Sequence, residues 1–218
     1  MSATPQPILP QSLPDQIADW LVTEISEERL LPEQRLTEQY VAEQCRVSRG
    51  PVRDAFRIVE KLGLIRMLPR KGVVVSPLDI NELKDLFEIR AALVHVAVCH
   101  IIDKAADEEL QDLLDQARSL EKQTNDENAF FEASNVLGSA FVALSHSRML
   151  RNMLMPLEVQ VRRYRHHGFS SLMAREASAG GFVMMAEAML ARDKSKVQEA
   201  LITANEKLLA EVGKTLKS

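Results

Sequence analysis

The sequence predicts a mainly α fold in two parts: an N-terminal module of three short helices with a β hairpin, then a C-terminal all-α helical bundle. Three observations carry this. Apolar residues recur at helical spacing over most of the chain, and capping residues precede the periodic segments. Two short β-type runs, Leu64–Leu68 and Val73–Val75, stand alone near residue 70. Beyond them hairpin signals are absent and glycines are few, so the larger part has no sheet to build.

Met1 to Pro10 is proline-bearing and predicts a flexible arm, taken as residues 1–11. Ser12-Leu13-Pro14-Asp15 caps a first helix with Ile17, Leu21, Val22 and Ile25 inward. Leu36 to Cys45 predicts a second, with Leu36, Tyr40 and Val41 inward, and Cys45-Arg46-Val47 is a tight turn. A third helix starts at Ser48, whose hydroxyl is expected to accept a first-turn amide, with Pro51 where a missing N–H costs little. Arg49, Arg53 and Arg57 recur every four residues and share one face, opposite Val52, Phe56 and Val59. Pro69-Arg70-Lys71-Gly72 has the composition of a hairpin tip. A basic hairpin directly after a helix-turn-helix makes a winged helix-turn-helix over residues 12–76.

Charge supports a nucleic-acid partner locally. Residues 46–71 hold eight basic side chains against Asp54 and Glu60, about +6, whereas the chain as a whole is −4. A basic patch on an acidic protein suits selective docking on a duplex rather than general polyanion adhesion. Cys45 and Cys99 have no paired spacing, which excludes a disulfide scaffold or zinc finger and suits a reducing, cytoplasmic setting. Cys45 is expected to fill a small buried site at the end of the second helix. No apolar run reaches about 18 residues and no basic residue precedes Arg29, so neither membrane insertion nor export is indicated.

From residue 77 to 218 the pattern is helical throughout. Asp79-Ile80-Asn81-Glu82 is a capping box opening a helix to about Asp103, with Leu83, Leu86, Phe87, Ile89, Leu93 and Val94 inward. Asp107 starts another, with Leu110, Leu113, Leu114 and Leu120 inward. Further helices are expected at about 126–146, 147–167, 171–191 and 194–215. His95 and His100 are expected at the core edge, and His146 at a helix end. The cluster Arg162, Arg163, Arg165, His166 and His167 is either a solvated helix terminus or part of an anion-binding wall. No nucleophile is paired with a base, so no catalytic constellation, and no enzyme, is predicted.

Two stretches carry a family resemblance. Arg35-Leu36-Thr37-Glu38-Gln39-Tyr40-Val41-Ala42, followed by Val47-Ser48-Arg49-Gly50-Pro51-Val52-Arg53-Asp54-Ala55 and Pro69–Val75, resembles the DNA-binding domain of GntR-type bacterial transcription regulators. Glu82–Arg90, Ala143–Leu150 and Met185–Asp193 resemble the helical effector domain (FCD-type) of their FadR-like branch. The resemblance implies operator contacts at Arg49, Arg53 and the wing residue Gly72, within a candidate set of Gln39, Ser48, Arg49, Gly50, Pro51, Arg53, Arg57, Arg70, Lys71 and Gly72. It departs at Arg46, where glycine is usual, and at Gln39, where some relatives have a DNA-touching arginine.

For residues 77–218 the resemblance implies homodimerisation and binding of a small metabolite, often a carboxylate, that alters operator affinity. Many relatives hold a divalent metal there with an aspartate or asparagine and three histidines; those positions fall on Ser134, Gly138, Phe182 and Ala204, so no metal and no other cofactor is expected. The candidate effector site is Arg90, Ser134, Gly138, Phe182, Met185 and Ala204. Val94 replaces a glutamate often found four residues after Arg90, which would leave Arg90 available to an anion. Met149, Met153, Met155, Met184, Met185 and Met189 are either ordinary core packing or the lining of an apolar pocket. The reading is a cytoplasmic, homodimeric regulator, a repressor relieved by its effector, with double-stranded operator DNA as partner. The alternatives are a metal-dependent carboxylate sensor of the same fold and a ligandless architectural DNA binder.

Overall fold

A computed structural model describes residues 11–68 and 72–216, which divide into two compact units, residues 1–77 and 78–218. Arg70, Lys71 and the arm residues 1–10 lie outside the described residues. Gln11, assigned to the arm, is described: its amide donates to Asp19 at 2.6 Å and its carbonyl accepts from Gln16 at 2.8 Å.

In the first unit α1 (Leu13–Ser26) starts where expected, with the Ser12 hydroxyl accepting from the Asp15 amide at 3.3 Å. Ile17, Leu21 and Ile25 are buried, and Val22 lies at the edge of that stripe, half-buried. β1 (Arg35–Leu36) was not foreseen. At two residues it is too short for periodicity to register, and only pairing with a distant strand defines it. Leu36 therefore belongs to a strand, and α2 (Glu38–Cys45) begins later than expected, capped by Thr37. Tyr40 is exposed rather than inward; Ala42, two residues on, takes the buried place beside Val41.

The turn closes through Val47 N to Ala42 O at 2.9 Å and Arg46 N to Glu43 O at 3.3 Å, with Arg46 left-handed at φ 56 and ψ 46. That conformation is why glycine suits the position. α3 (Arg49–Lys61) buries Val52, Ala55, Phe56 and Val59. β2 (Ile65–Leu68) and β3 (Gly72–Val75) form the hairpin, giving an antiparallel sheet of order β1-β3-β2 with Arg35 opposite Val74 and Leu68 opposite Gly72. Val73 and Val75 face inward, so the hairpin is tied to the core by alternate residues.

The second unit is all helical among the described residues: α4 (Ile80–Lys104), α5 (Asp107–Glu121), α6 (Glu127–Leu144), α7 (Arg148–Gly168), α8 (Leu172–Leu190) and α9 (Lys194–Thr215). Side-chain caps by Asp79, Asp126, Ser147, Ser171 and Asp193 fix five of the starts. The reciprocal bond expected of the Asp79–Glu82 capping box is replaced: the Asp79 amide donates to the Tyr164 hydroxyl at 3.2 Å. The main core joins Val98 and Ile101 of α4, Leu110 and Leu113 of α5, Phe130 of α6, Leu154 of α7 and Met189 of α8. A second cluster joins Leu83, Phe87, Val161, Tyr164 and Val212.

Pro156 removes one backbone bond from α7, yet the helix continues through it, because Leu154 and Val161 on either side are buried in the bundle. Ile89 is 57 % exposed, against expectation, since the buried stripe of α4 continues through Val94, Ala97 and Ile101 on another side. No helix among the described residues is long and apolar enough to cross a membrane.

Replacing Arg46 by glycine removes the side-chain penalty of the left-handed turn. Arg46→Gly is expected to stabilise the first unit by about 1 kcal/mol, read as a higher urea midpoint at unchanged slope.

Candidate nucleic-acid interface and effector cavity

Burial of one side of α3 leaves Arg49, Arg53 and Arg57 exposed together on the other. Each has a local partner. Arg49 donates to the Gln39 side chain, Arg53 grips Glu38 through both carboxylate oxygens at 2.8 and 2.9 Å, and Arg57 meets Asp54 at 3.1 Å. The Arg53 hydrogen bond holds the Glu38 carboxyl below the usual carboxylate range. Exposed pairs of this kind contribute little net stability, so a phosphate or base edge can replace them at small cost.

Ser48 has extended backbone and caps α3 by position, but its hydroxyl makes no cap hydrogen bond. The reason is Pro51: it occupies the third helical position and has no N–H to give. Gly50 is exposed, and a Cβ added to it would meet nothing within 4 Å; Gly72 has φ +81 at the start of β3. Glu38 and Arg35 went unnoticed in the sequence. Glu38 is fifteen residues from its partner, beyond any single-helix pattern.

In the second unit two narrow adjoining cavities share Arg90, Phe182, Met185 and Leu201, with about 30 and 70 Å³ of space open to water. Gly138 lines the first and Ala204 the second, so five of the six candidate effector residues surround this space. Ser134 does not: it is fully buried, its hydroxyl bonded back to the Phe131 carbonyl at 2.8 Å. Phe182 stacks on Phe141 with ring centres 6.1 Å apart.

Arg90 is not without a carboxylate, as its neighbour Val94 had suggested. Glu158 of α7 supplies one, Oε1 lying 2.5 Å from Arg90 Nε. The other oxygen of Glu158 accepts from Arg165 Nη2 at 3.2 Å, and Arg165 Nη1 donates to Asn135 Oδ1 at 3.1 Å. The three charged side chains are only 11, 8 and 7 % exposed for Arg90, Glu158 and Arg165. Burial alone would raise the Glu158 pKa, but the charges of Arg90 and Arg165 outweigh it and hold the carboxyl below its usual range. Burial likewise lowers Arg165, against the pull of Glu158.

Of the basic cluster near residue 165, then, Arg165 turns inward to the cavity. The sequence did hold a signal for its partner: Glu158 is the one acidic residue in α7 and lies two turns before Arg165 on the same face. The methionine reading needs correction. Met149, Met153, Met155 and Met184 are exposed, Met189 is core, and Met185 alone of the six lines these cavities.

The residues do not fit a metal. Gly138 offers no ligating side chain, and a Cβ there would lie in ordinary contact, 3.5 and 3.6 Å, with the Arg165 guanidinium nitrogens, so the position faces a cation already in place. Among the described residues no three of His, Cys, Asp or Glu cluster to hold an ion. Cys45 and Cys99 are free; Cys45 is half-buried, which together with Glu24 raises its thiol pKa.

A winged helix-turn-helix with an exposed row of arginines, on a chain whose other unit is a helical bundle, defines a DNA-binding transcription regulator. Comparison with known proteins gives the particular kind. Residues 13–75 match the model of bacterial regulatory proteins of the gntR family, and residues 85–204 match the FCD domain. The chain belongs to the GntR family of bacterial transcriptional regulators, in its FCD-bearing branch, and is not an enzyme. It is 32 % identical over 126 residues to the HTH-type regulator YdhC of Bacillus subtilis, a match spanning 56 % of either chain. It is 25 % identical to the HTH-type transcriptional repressor RspR of Escherichia coli, over 79 % of this chain and 76 % of that one. The solved structure of E. coli McbR/YncC shares the fold, with a TM-score of 0.82 at 20 % identity over 94 % of this chain and 99 % of that one.

Glu158→Gln leaves two buried guanidiniums without a counter-charge and is expected to destabilise the second unit by about 3 kcal/mol at neutral pH. Because the folded-state pKa of Glu158 lies below its ordinary 4.5, its contribution is complete above that value and is lost as pH falls through the depressed one. The gap between wild type and variant, followed by urea unfolding, should therefore narrow on acidification below about pH 4.5.

Proposed function

We propose that this regulator is a cytoplasmic homodimer that represses transcription from a near-palindromic operator and is released by a small, metal-free effector bearing a carboxylate on an apolar body. The observation that carries the effector reading is the buried charge imbalance. Two guanidiniums, Arg90 and Arg165, share the single carboxylate of Glu158, and no other acidic side chain lines either cavity among the described residues. A net positive charge in a low-dielectric site strongly favours an anion. Phe182, Met185, Val94 and Leu201 offer the rest of the ligand an apolar surface. Supporting homodimerisation, Ile89, Leu93 and Val96 recur along one side of α4, with Ile89 and Val96 exposed.

Two recognition helices would enter successive major grooves, with Arg49 and Arg53 exchanging Gln39 and Glu38 for base edges and phosphates. The Ser48 hydroxyl, which Pro51 leaves without its usual partner, suits a phosphate oxygen at the start of α3. The effector would act only by binding one bundle conformation more tightly than another.

A thermal-shift panel of aliphatic and aromatic monocarboxylates, with the matching neutral amides, tests the effector on chelator-treated protein. At least one acid is expected to raise the midpoint where its amide does not, and Arg165→Ala should weaken that response at least tenfold. Equal responses to acid and amide, or a response that returns only with added metal, would overturn the reading. Arg49→Ala should cost about 1–3 kcal/mol on a duplex enriched by the protein from a random-sequence pool, measured by anisotropy.

A further inference from the structure

We propose that Arg35 is a phosphate-binding residue of the DNA interface, contributed by the edge strand of the wing rather than by the recognition helix. β1 is paired with β3, and its two residues alternate: Leu36 is buried and Arg35 is exposed. A side chain begun on Gly72 would lie 3.7 Å from both Nε and Nη2 of Arg35, so the guanidinium rests beside the bare Cα at the start of β3. A glycine in a strand marks a place where another group can come close to the backbone, and here a planar cation flanks that place.

Arg35 differs from the arginines of α3. Arg49, Arg53 and Arg57 are held by Gln39, Glu38 and Asp54, whereas Arg35 has neither hydrogen bond nor ion pair among the described residues. An exposed guanidinium with five donors and no acceptor suits the paired oxygens of a phosphodiester. Chain continuity fixes its position along the interface. Glu38 is three positions after Arg35, which puts their Cα atoms at most about 11 Å apart. The Glu38 carboxylate in turn holds Arg53. Phosphates on a strand recur about every 3.4 Å of helix rise, so Arg35 and Arg53 can meet different phosphates of one duplex.

The test uses full-length protein with Arg35→Ala, Arg35→Lys and Arg49→Ala variants and two duplexes of equal length. One is enriched by the wild type from a random pool and the other is unrelated. Affinities are measured between about 50 and 200 mM salt. Arg35→Ala is expected to weaken both complexes several-fold alike and to reduce the salt slope by about 0.9, with Arg35→Lys restoring the slope. Three results would overturn the proposal: unchanged affinity and slope, a loss confined to the enriched duplex, or a lower melting midpoint with the slope intact. Arg49→Ala separates the levels: loss of preference for the enriched duplex upholds the recognition helix whatever Arg35 does.

Discussion

Helix α3 has to satisfy a core and a solvent-facing partner at once, and the first unit is arranged around that division. Val52, Ala55, Phe56 and Val59 are almost fully excluded from water, which fixes the rotation of the helix about its axis. Once that rotation is fixed, the arginines at every fourth position have nowhere to project but outward. Strong apolar burial thus sets the direction of weakly held cations. The pairs with Gln39, Glu38 and Asp54 hold the arginines in place without locking them, as a surface that must exchange partners requires.

The same unit takes left-handed backbone at Glu28, Glu33, Arg46, Gly63 and Gly72, and two of these shape the DNA-facing elements. Arg46 takes a left-handed conformation to turn the chain between α2 and α3, although its side chain gains no hydrogen bond there. Gly72 takes φ +81 at the start of β3, a conformation that a side chain would strain. At Gly72, as at Gly63, the residue suits its backbone. At Arg46 the chain keeps a cation at a helix-turn-helix corner instead of the glycine its geometry favours, consistent with charge outweighing ease of turning on this face.

Local features of the chain were legible in the sequence, and tertiary convergences were not. Helix starts at Ser12 and Asp79 followed from cap chemistry, which acts within four residues. The arginine row followed from a period within one helix. Glu38–Arg53 and Arg90–Glu158 did not, because their partners lie on separate elements and no spacing rule connects them, whereas Glu158 and Arg165 share one face of α7. Ile89 and Tyr40 show the same limit from the apolar side. A large hydrophobic residue near a buried stripe looks inward by composition, yet its angle about the helix axis decides where it points. Ser48 differs again: its hydroxyl suits a cap, but Pro51, three residues on, has no N–H for it to accept.

The Arg90–Glu158–Arg165 group raises an energetic question that packing alone does not answer. A buried ion pair is often no more stabilising than apolar side chains of the same volume, because desolvation offsets the attraction. A second guanidinium on the same carboxylate makes the balance worse, as one positive charge stays uncompensated in a site whose remaining lining is mostly apolar. Gly138 adds to the argument, since it lies against Arg165 and Glu158 although a helix interior disfavours glycine by about 1 kcal/mol. A sequence optimised only for bundle stability would fill this place with apolar atoms. Keeping two cations, one anion and a glycine here is economical if an anionic ligand completes the charge, for then the same imbalance that weakens the empty bundle becomes affinity when the ligand enters.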